Sequence, residues 1–170
     1  MTDMDTDGSH IKGLIFNFIH YFWPSLLHCN FISDFTTPLL KAKLGTSVET
    51  FYNTQDYLKW RQITKDASKY TIKYYKGLGT NTTSEAIEYF KNFDKHRREY
   101  RYKPEIDDDR IQLVFDKDMT AKRKQWILNE YNPMNSIDLK GDEPILFSDF
   151  INKELIHFSH ADNLRYVCRQ

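Results

Sequence analysis

Asp3, Asp5 and Asp7 stand at alternate positions, and Gly8 follows them directly. In an extended segment residues i, i+2 and i+4 point to one side, so this spacing predicts three carboxylates on a common face. Carboxylates held that close repel one another unless a cation sits among them. An all-oxygen donor set suits a hard divalent ion, Mg²⁺ before others. A solvated acidic turn with Gly8 at its corner would carry the same letters. A second candidate is Lys76-Gly77-Leu78-Gly79-Thr80, which ends an alternating stretch and precedes Thr82 and Glu85 at capping-box spacing. A strand, a Gly-rich loop and a helix N-terminus present free amides and Lys76 to an anion such as a phosphate; an ordinary tight turn reads alike. A third is the basic run Lys91, Lys95, His96, Arg97, Arg98, Arg101 and Lys103, interleaved with Tyr100 and Tyr102. It fits a nucleic-acid phosphate footprint, and equally a solvated helix end that complements the helix dipole.

The elements that must position these groups follow from periodicity. Ile11, Leu14, Ile15, Phe18, Ile19 and Phe22 form a helical stripe, which predicts a buried amphipathic helix capped at Ser9. Trp23 to Leu27 can restart a short helix, with Pro24 in its first turn. Residues 35–44 read as a strand, at a sheet edge or start because of Pro38, and pair with 49–52 across a turn at 44–47. Thr54 caps a short helix, 69–75 alternates as a strand, and 85–100 is a helix. Glu105 to Asp109 reads as an acidic turn, 110–115 as a strand and 120–131 as a helix anchored by Trp126 and Ile127. Asn132 to Pro144 has linker composition. Ser148 then caps a final helix over 149–159, on which His157 and His160 read as surface residues.

At 170 residues the chain is long enough for one domain with a core. Its 24 basic and 24 acidic residues balance, so overall charge names no partner and only local clusters can. Cys29 and Cys168 match no metal spacing and point to free thiols in a reducing compartment. No stretch is apolar for long enough to span a membrane and no signal peptide opens the chain, so the reading is a soluble intracellular protein.

Two familiar acidic-loop motifs are tested by spacing. A calcium EF-hand needs a bidentate Glu at its twelfth loop position, occupied here by Leu14. A haloacid dehalogenase-like phosphatase would read Asp5 and Asp7 as nucleophile and acid. It also needs a closing Gly-Asp with a further acid three or four residues on, and after Gly141-Asp142-Glu143 the next acid is Asp149.

Taken together, MTDMDTDGSHIKG (1–13), KYYKGLGT (73–80) and DFINKELI (149–156) resemble eukaryotic-type DNA topoisomerase II, in the same order and over residues 1 to about 165. Gyrase and topoisomerase IV share the first two motifs more loosely. The resemblance implies an α/β fold, a partial TOPRIM (Rossmann-like) unit followed by a mostly helical segment, incomplete at both ends. Residues 1–80 would be the C-terminal part of TOPRIM, 81–131 an extension, 132–147 a linker and 148–170 the start of the winged-helix breakage-reunion region.

The resemblance further implies Asp3 and Asp5 as direct Mg²⁺ ligands, with Mn²⁺ or Ca²⁺ as substitutes, and Asp7 as a supporting carboxylate. Expected DNA-backbone contacts are His10, Lys12, Lys76, Gly77, Leu78, Gly79, Thr80, Lys95, Arg97 and Arg98. The implied activity is ATP-dependent passage of one double-stranded DNA through a transient break in another, by a homodimer in the nucleus, or in the cytoplasm or a viral factory if the source is viral. ATP would bind a domain outside this chain. The family's catalytic glutamate would lie before Met1, along with the strand that delivers the acidic loop, and its tyrosine nucleophile after Gln170. None of the eleven tyrosines falls in that motif, and residues 166–170 depart from the family pattern. A DNA-binding or scaffold segment without activity of its own is the alternative reading.

Overall fold

The computed structural model describes residues 2–75, 77–139 and 143–168. In chain order the elements are α1 (Thr6–Phe22), α2 (Pro24–His28), β1 (Ser33–Phe35), β2 (Leu40–Leu44), β3 (Ser47–Phe51), α3 (Thr54–Ile63), β4 (Thr71–Tyr74), α4 (Thr83–Lys91), α5 (Phe93–His96), β5 (Arg97–Arg101), α6 (Pro104–Phe115), α7 (Thr120–Glu130), β6 (Ile145–Leu146), α8 (Phe147–Phe150), a π-helical turn (Ile151–Leu155) and α9 (Ile156–Val167). The fold is mixed α/β. It comprises two compact units, Met1–Asp5 with Phe35–Arg97, and Thr6–Asp34 with Arg98–Gln170.

The first unit is built on an antiparallel sheet in the order β3-β2-β4. Alternation along β2 puts Leu40 and Ala42 on one face and Lys41 and Lys43 on the other. On the apolar face Leu39, Leu40, Ala42 and Phe51 form the core, with Met4, Tyr57, Trp60 and Tyr70 packed against it. The α3 helix is capped by Asn53, whose Oδ1 accepts from the Asp56 amide at 2.8 Å; the cap expected at Thr54 lies one residue later.

The second unit contains the largest departures from the sequence reading. The α1 helix is present, but its buried residues are Gly8, Ser9, Lys12, Gly13 and Phe16. The apolar stripe points the other way, with Ile11 52 % and Phe22 56 % exposed. Close packing on the small-residue side decides this: a Cβ on Gly13 would meet Leu155 and Phe115 at 3.1 Å. Phe16 reaches inward and packs edge-on to Tyr100, Phe147 and Phe150 at 4.8–5.0 Å between ring centroids.

Residues 110–115, expected as a strand, are the second half of α6. Pro104 at the first helical position and Glu105 and Asp107 in the first turn start that helix earlier. Asp107 is fully buried because it accepts from the Lys103 amide at 2.6 Å and the Ser148 amide at 2.7 Å. The helix expected over 85–100 stops at Lys91, and Arg97–Arg101 becomes β5, the middle strand of the sheet β1-β5-β6, parallel to β6. Tyr100 faces the core while Arg97, Glu99 and Arg101 are exposed, so strand alternation wins over the helical continuation. The expected linker is packed as well: Ile137, Leu139 and Ile145 are buried.

Candidate metal and nucleic-acid site

The acidic entry and the Gly-rich loop meet in the first unit. Asp3 lies in irregular chain and Asp5 in a bend just before α1. The Asp3 carboxylate sits so close to the loop backbone that a Cβ on Gly77 would lie 2.9 Å from Oδ2 and 3.3 Å from Oδ1. Asp3, Thr37, Tyr75, Gly77 and Asn81 line a cleft of about 10 Å³, roughly the room of one water-sized sphere. The larger cavity of the unit, about 790 Å³, lies on the basic face of the sheet, lined by Lys41, Lys43, Lys73, Glu85 and Lys95 among others. Its two carboxylates, Glu85 and Glu88, stand among several lysines, whereas the small cleft sets the Asp3 carboxylate beside Gly77 with no lysine in its lining among the described residues.

The alternation expected of the three aspartates breaks at Asp7. Helix α1 begins at Thr6, so Asp7 stands in its first turn and belongs to the second unit, where Arg165 lies 3.4 Å away. Among the described residues no three His, Cys, Asp or Glu side chains are grouped so as to hold a metal ion. Asp3 and Asp5 nonetheless have the right chemistry for Mg²⁺, which binds through one or two carboxylates and fills its remaining positions with water and substrate phosphate.

The loop is built by the local sequence. The Thr80 hydroxyl and amide both donate to the Gly77 carbonyl, at 2.7 and 3.1 Å, closing a tight turn over Leu78–Thr80. Gly79 has open space where a side chain would be. The expected capping box is present: the Glu85 amide donates to Thr82 Oγ1, and the Thr82 amide to Glu85 Oε2 at 2.9 Å. Lys76, expected to reach a phosphate, lies outside the described residues.

The other basic residues separate by environment. Lys95 and Arg97 are exposed. Lys12 is not presented to solvent: it is 7 % exposed, and its ammonium is held by Asp34 at 2.7 Å and Glu154 at 2.9 Å. Burial alone would lower its pKa, but Glu154, Tyr100 and Asp34 outweigh it and hold the value well above the ordinary lysine range. Arg98 points back into the fold and donates through Nε to the Leu139 carbonyl at 3.0 Å. His10 stacks on Phe158 with ring centroids 4.0 Å apart. Lys12, Arg98 and His10 therefore hold the second unit together, a structural role for residues expected as DNA contacts. What sequence reasoning missed is the partner set Asp34 and Glu154, which lies 22 and 142 residues from Lys12.

If Lys95 and Arg97 meet phosphates, reversing both charges lowers the slope of log affinity against log salt by about one per lost contact. Arg98→Ala instead lowers stability and leaves that slope alone. An unchanged slope in the Lys95→Glu/Arg97→Glu protein would remove both residues from the interface.

Comparison with known proteins identifies the family of the chain. Residues 35–163 match the family described as the C-terminal associated domain of TOPRIM. Mitochondrial DNA topoisomerase 2 of Dictyostelium discoideum is 52 % identical over 98 % of this chain, and DNA topoisomerase 2 of Drosophila melanogaster 42 % identical over 98 %. The chain spans only 13 % and 12 % of the length of those two relatives. Among solved structures, the Plasmodium falciparum topoisomerase II DNA-binding, cleavage and re-ligation domain superposes with a TM-score of 0.86 at 40 % identity, over 96 % of this chain and 22 % of that one. These matches leave no place for the phosphatase reading. The chain belongs to the family of C-terminal TOPRIM-associated domains found in DNA topoisomerase 2.

Proposed function

We propose that this chain is the part of an ATP-dependent type II DNA topoisomerase that holds the Mg²⁺ ligands and contacts the DNA backbone. The observation that supports the reading is the closeness of the Asp3 carboxylate to Gly77, where an added Cβ would lie 2.9 Å from Oδ2, so that a hard oxygen donor stands beside the Gly-rich loop. Asp3 and Asp5 are the ligands, with Asp7 kept as a supporting carboxylate on the strength of the resemblance. Bound there, Mg²⁺ supplies positive charge to a phosphodiester and its leaving oxygen. The amides of Gly77, Leu78 and Gly79, with Lys76, hold the backbone, in the turn that Thr80 closes; Lys95 and Arg97 add charge without base readout, so binding is indifferent to sequence. The tyrosine nucleophile, the ATP site and the surfaces that pair two protomers belong to other segments of the whole protein. The proposed location is the nucleus of a eukaryotic cell. Among the described residues no helix is long and apolar enough to cross a membrane.

The test is a chimera in which residues 1–165 replace the matching stretch of a related DNA topoisomerase 2. It should relax supercoiled plasmid with ATP and Mg²⁺. A chimera that folds and binds DNA but never relaxes it would overturn the reading. A second reading, a DNA-backbone-binding segment that does not use a metal, is favoured by the lack of a three-acid cluster among the described residues. It predicts DNA binding by the chain that Mg²⁺ does not alter.

A further inference from the structure

We infer that Glu85 is a positioning residue for the cation site, acting on the residues that flank the loop at 77–81. The chain enters this loop from β4 and leaves it into α4, and one carboxylate holds both sides. On the entering side, the Tyr75 hydroxyl donates to Glu85 Oε1 and Lys73 Nζ donates to Oε2 at 2.8 Å. On the leaving side, the Thr82 amide and hydroxyl donate to Oε2 at 2.9 and 3.0 Å. Lys41 approaches from β2 at 3.5 Å.

A helix start needs only the Thr82 half of this arrangement. The contacts to Tyr75, Lys73 and Lys41 are additional, and they reach back to the sheet. Lys41 and Lys73 are directly opposite each other on neighbouring strands, a like-charge pair that is unfavourable by itself. Glu85 lies between them and turns the repulsion into attraction. Burial would raise the Glu85 carboxyl, but the donors from Lys73, Thr82 and Tyr75 outweigh it and hold the group well below the usual carboxylate range. It stays charged at every working pH.

Gly77 is two residues past Tyr75, and the Asp3 carboxylate fills the space beside it that a side chain would occupy, 2.9 Å from the place of a Cβ. Fixing the loop ends therefore fixes the wall against which Asp3 is aimed. This inference rests on Asp3 being a cation ligand, as proposed above.

Three substitutions separate its parts. Glu85→Ala removes the whole clamp. Tyr75→Phe removes one entering-side donor and leaves the capping box intact, so it serves if Glu85→Ala fails to fold. In the 170-residue chain, amide hydrogen exchange at residues 77–82 should quicken on the order of tenfold in Glu85→Ala, and less in Tyr75→Phe, with the far-ultraviolet spectrum unchanged. In the chimera, the Mg²⁺ concentration for half-maximal cleavage should rise about tenfold in Glu85→Ala, in the manner of a group that orients a metal ligand. Glu85→Gln keeps the cap and loses the charge, and should fall between. A merely structural role would lower the folded fraction and leave the Mg²⁺ dependence of the folded molecules unchanged. Unaltered loop exchange and unaltered Mg²⁺ dependence in a folded Tyr75→Phe protein, with Glu85→Ala folded and unaltered or unfolded, overturn the clamp. An inactive parent chimera whose loop exchange still responds to these changes overturns the topoisomerase reading instead.

Discussion

Replacing Lys12 by alanine is expected to destabilise the second unit by about 3–5 kcal/mol, the range for removing one partner of a buried ion pair. The Lys12 side chain is 9 % exposed and those of Asp34 and Glu154 are 11 % and 22 % exposed, so solvent screens the cluster little. Loss of the ammonium leaves two carboxylates facing each other beneath α1, with Ser9 donating to Glu154 at 2.7 Å as partial relief. Against a typical domain stability of about 5–15 kcal/mol this is a large share. Urea unfolding followed at the aromatic cluster around Phe16 measures it. Lys12→Met combined with Glu154→Gln should cost less than the sum of the single changes, because each removes a charge the other left unpaired. The folded pKa of Lys12 is raised, so its contribution is fully present below the ordinary lysine pKa. It is lost only as pH rises through the higher folded value, and between pH 5 and 9 it should not vary. A stability change within about 0.5 kcal/mol, the range of an ordinary surface substitution, would return Lys12 to the list of exposed DNA contacts.

Gly77→Ala should have the opposite profile, with little effect on stability and a large one on the cation. The new methyl would sit 2.9 Å from Asp3 Oδ2, and the atom it displaces is the end of a movable side chain. The fold can yield by turning Asp3 away, at a cost within about 1 kcal/mol. Turning that carboxylate away removes a proposed ligand, so Mn²⁺ affinity should fall about tenfold or more by isothermal titration. Mn²⁺ binding by the alanine variant equal to that of the parent would show that Asp3 is no ligand.

How much of this was legible in the sequence depended on distance along the chain. The capping box of Thr82 and Glu85, the hairpin of β2 and β3 and the end of β4 at the Gly-rich loop are decided within a few residues, and the letters alone give them. Residues 110–115 were misread because RIQLVF alternates like a strand, while the helix signals, Pro104 and the acids after it, lie a turn earlier. The α1 helix is the instructive failure. Its period is plain, yet the buried side is inverted, because a Gly, a Ser and a Lys become core once Phe115, Glu154 and Leu155 arrive from distant parts of the chain. The same fold places Lys12 in a buried ion-pair cluster. The wider contacts of the Glu85 carboxylate are not legible in the sequence because Lys41 and Tyr75 meet it only after the sheet has formed.

The central claim is that Asp3 and Asp5 serve DNA cleavage and not the fold. The direct measurement is Mg²⁺-dependent cleavage of plasmid by the chimera, with DNA binding recorded on the same preparations. Asp3→Ala and Asp5→Ala should each abolish cleavage while binding stays within about threefold of the parent, because phosphate affinity rests on the loop and the exposed cations. Full cleavage by the Asp3→Ala/Asp5→Ala chimera would contradict the account.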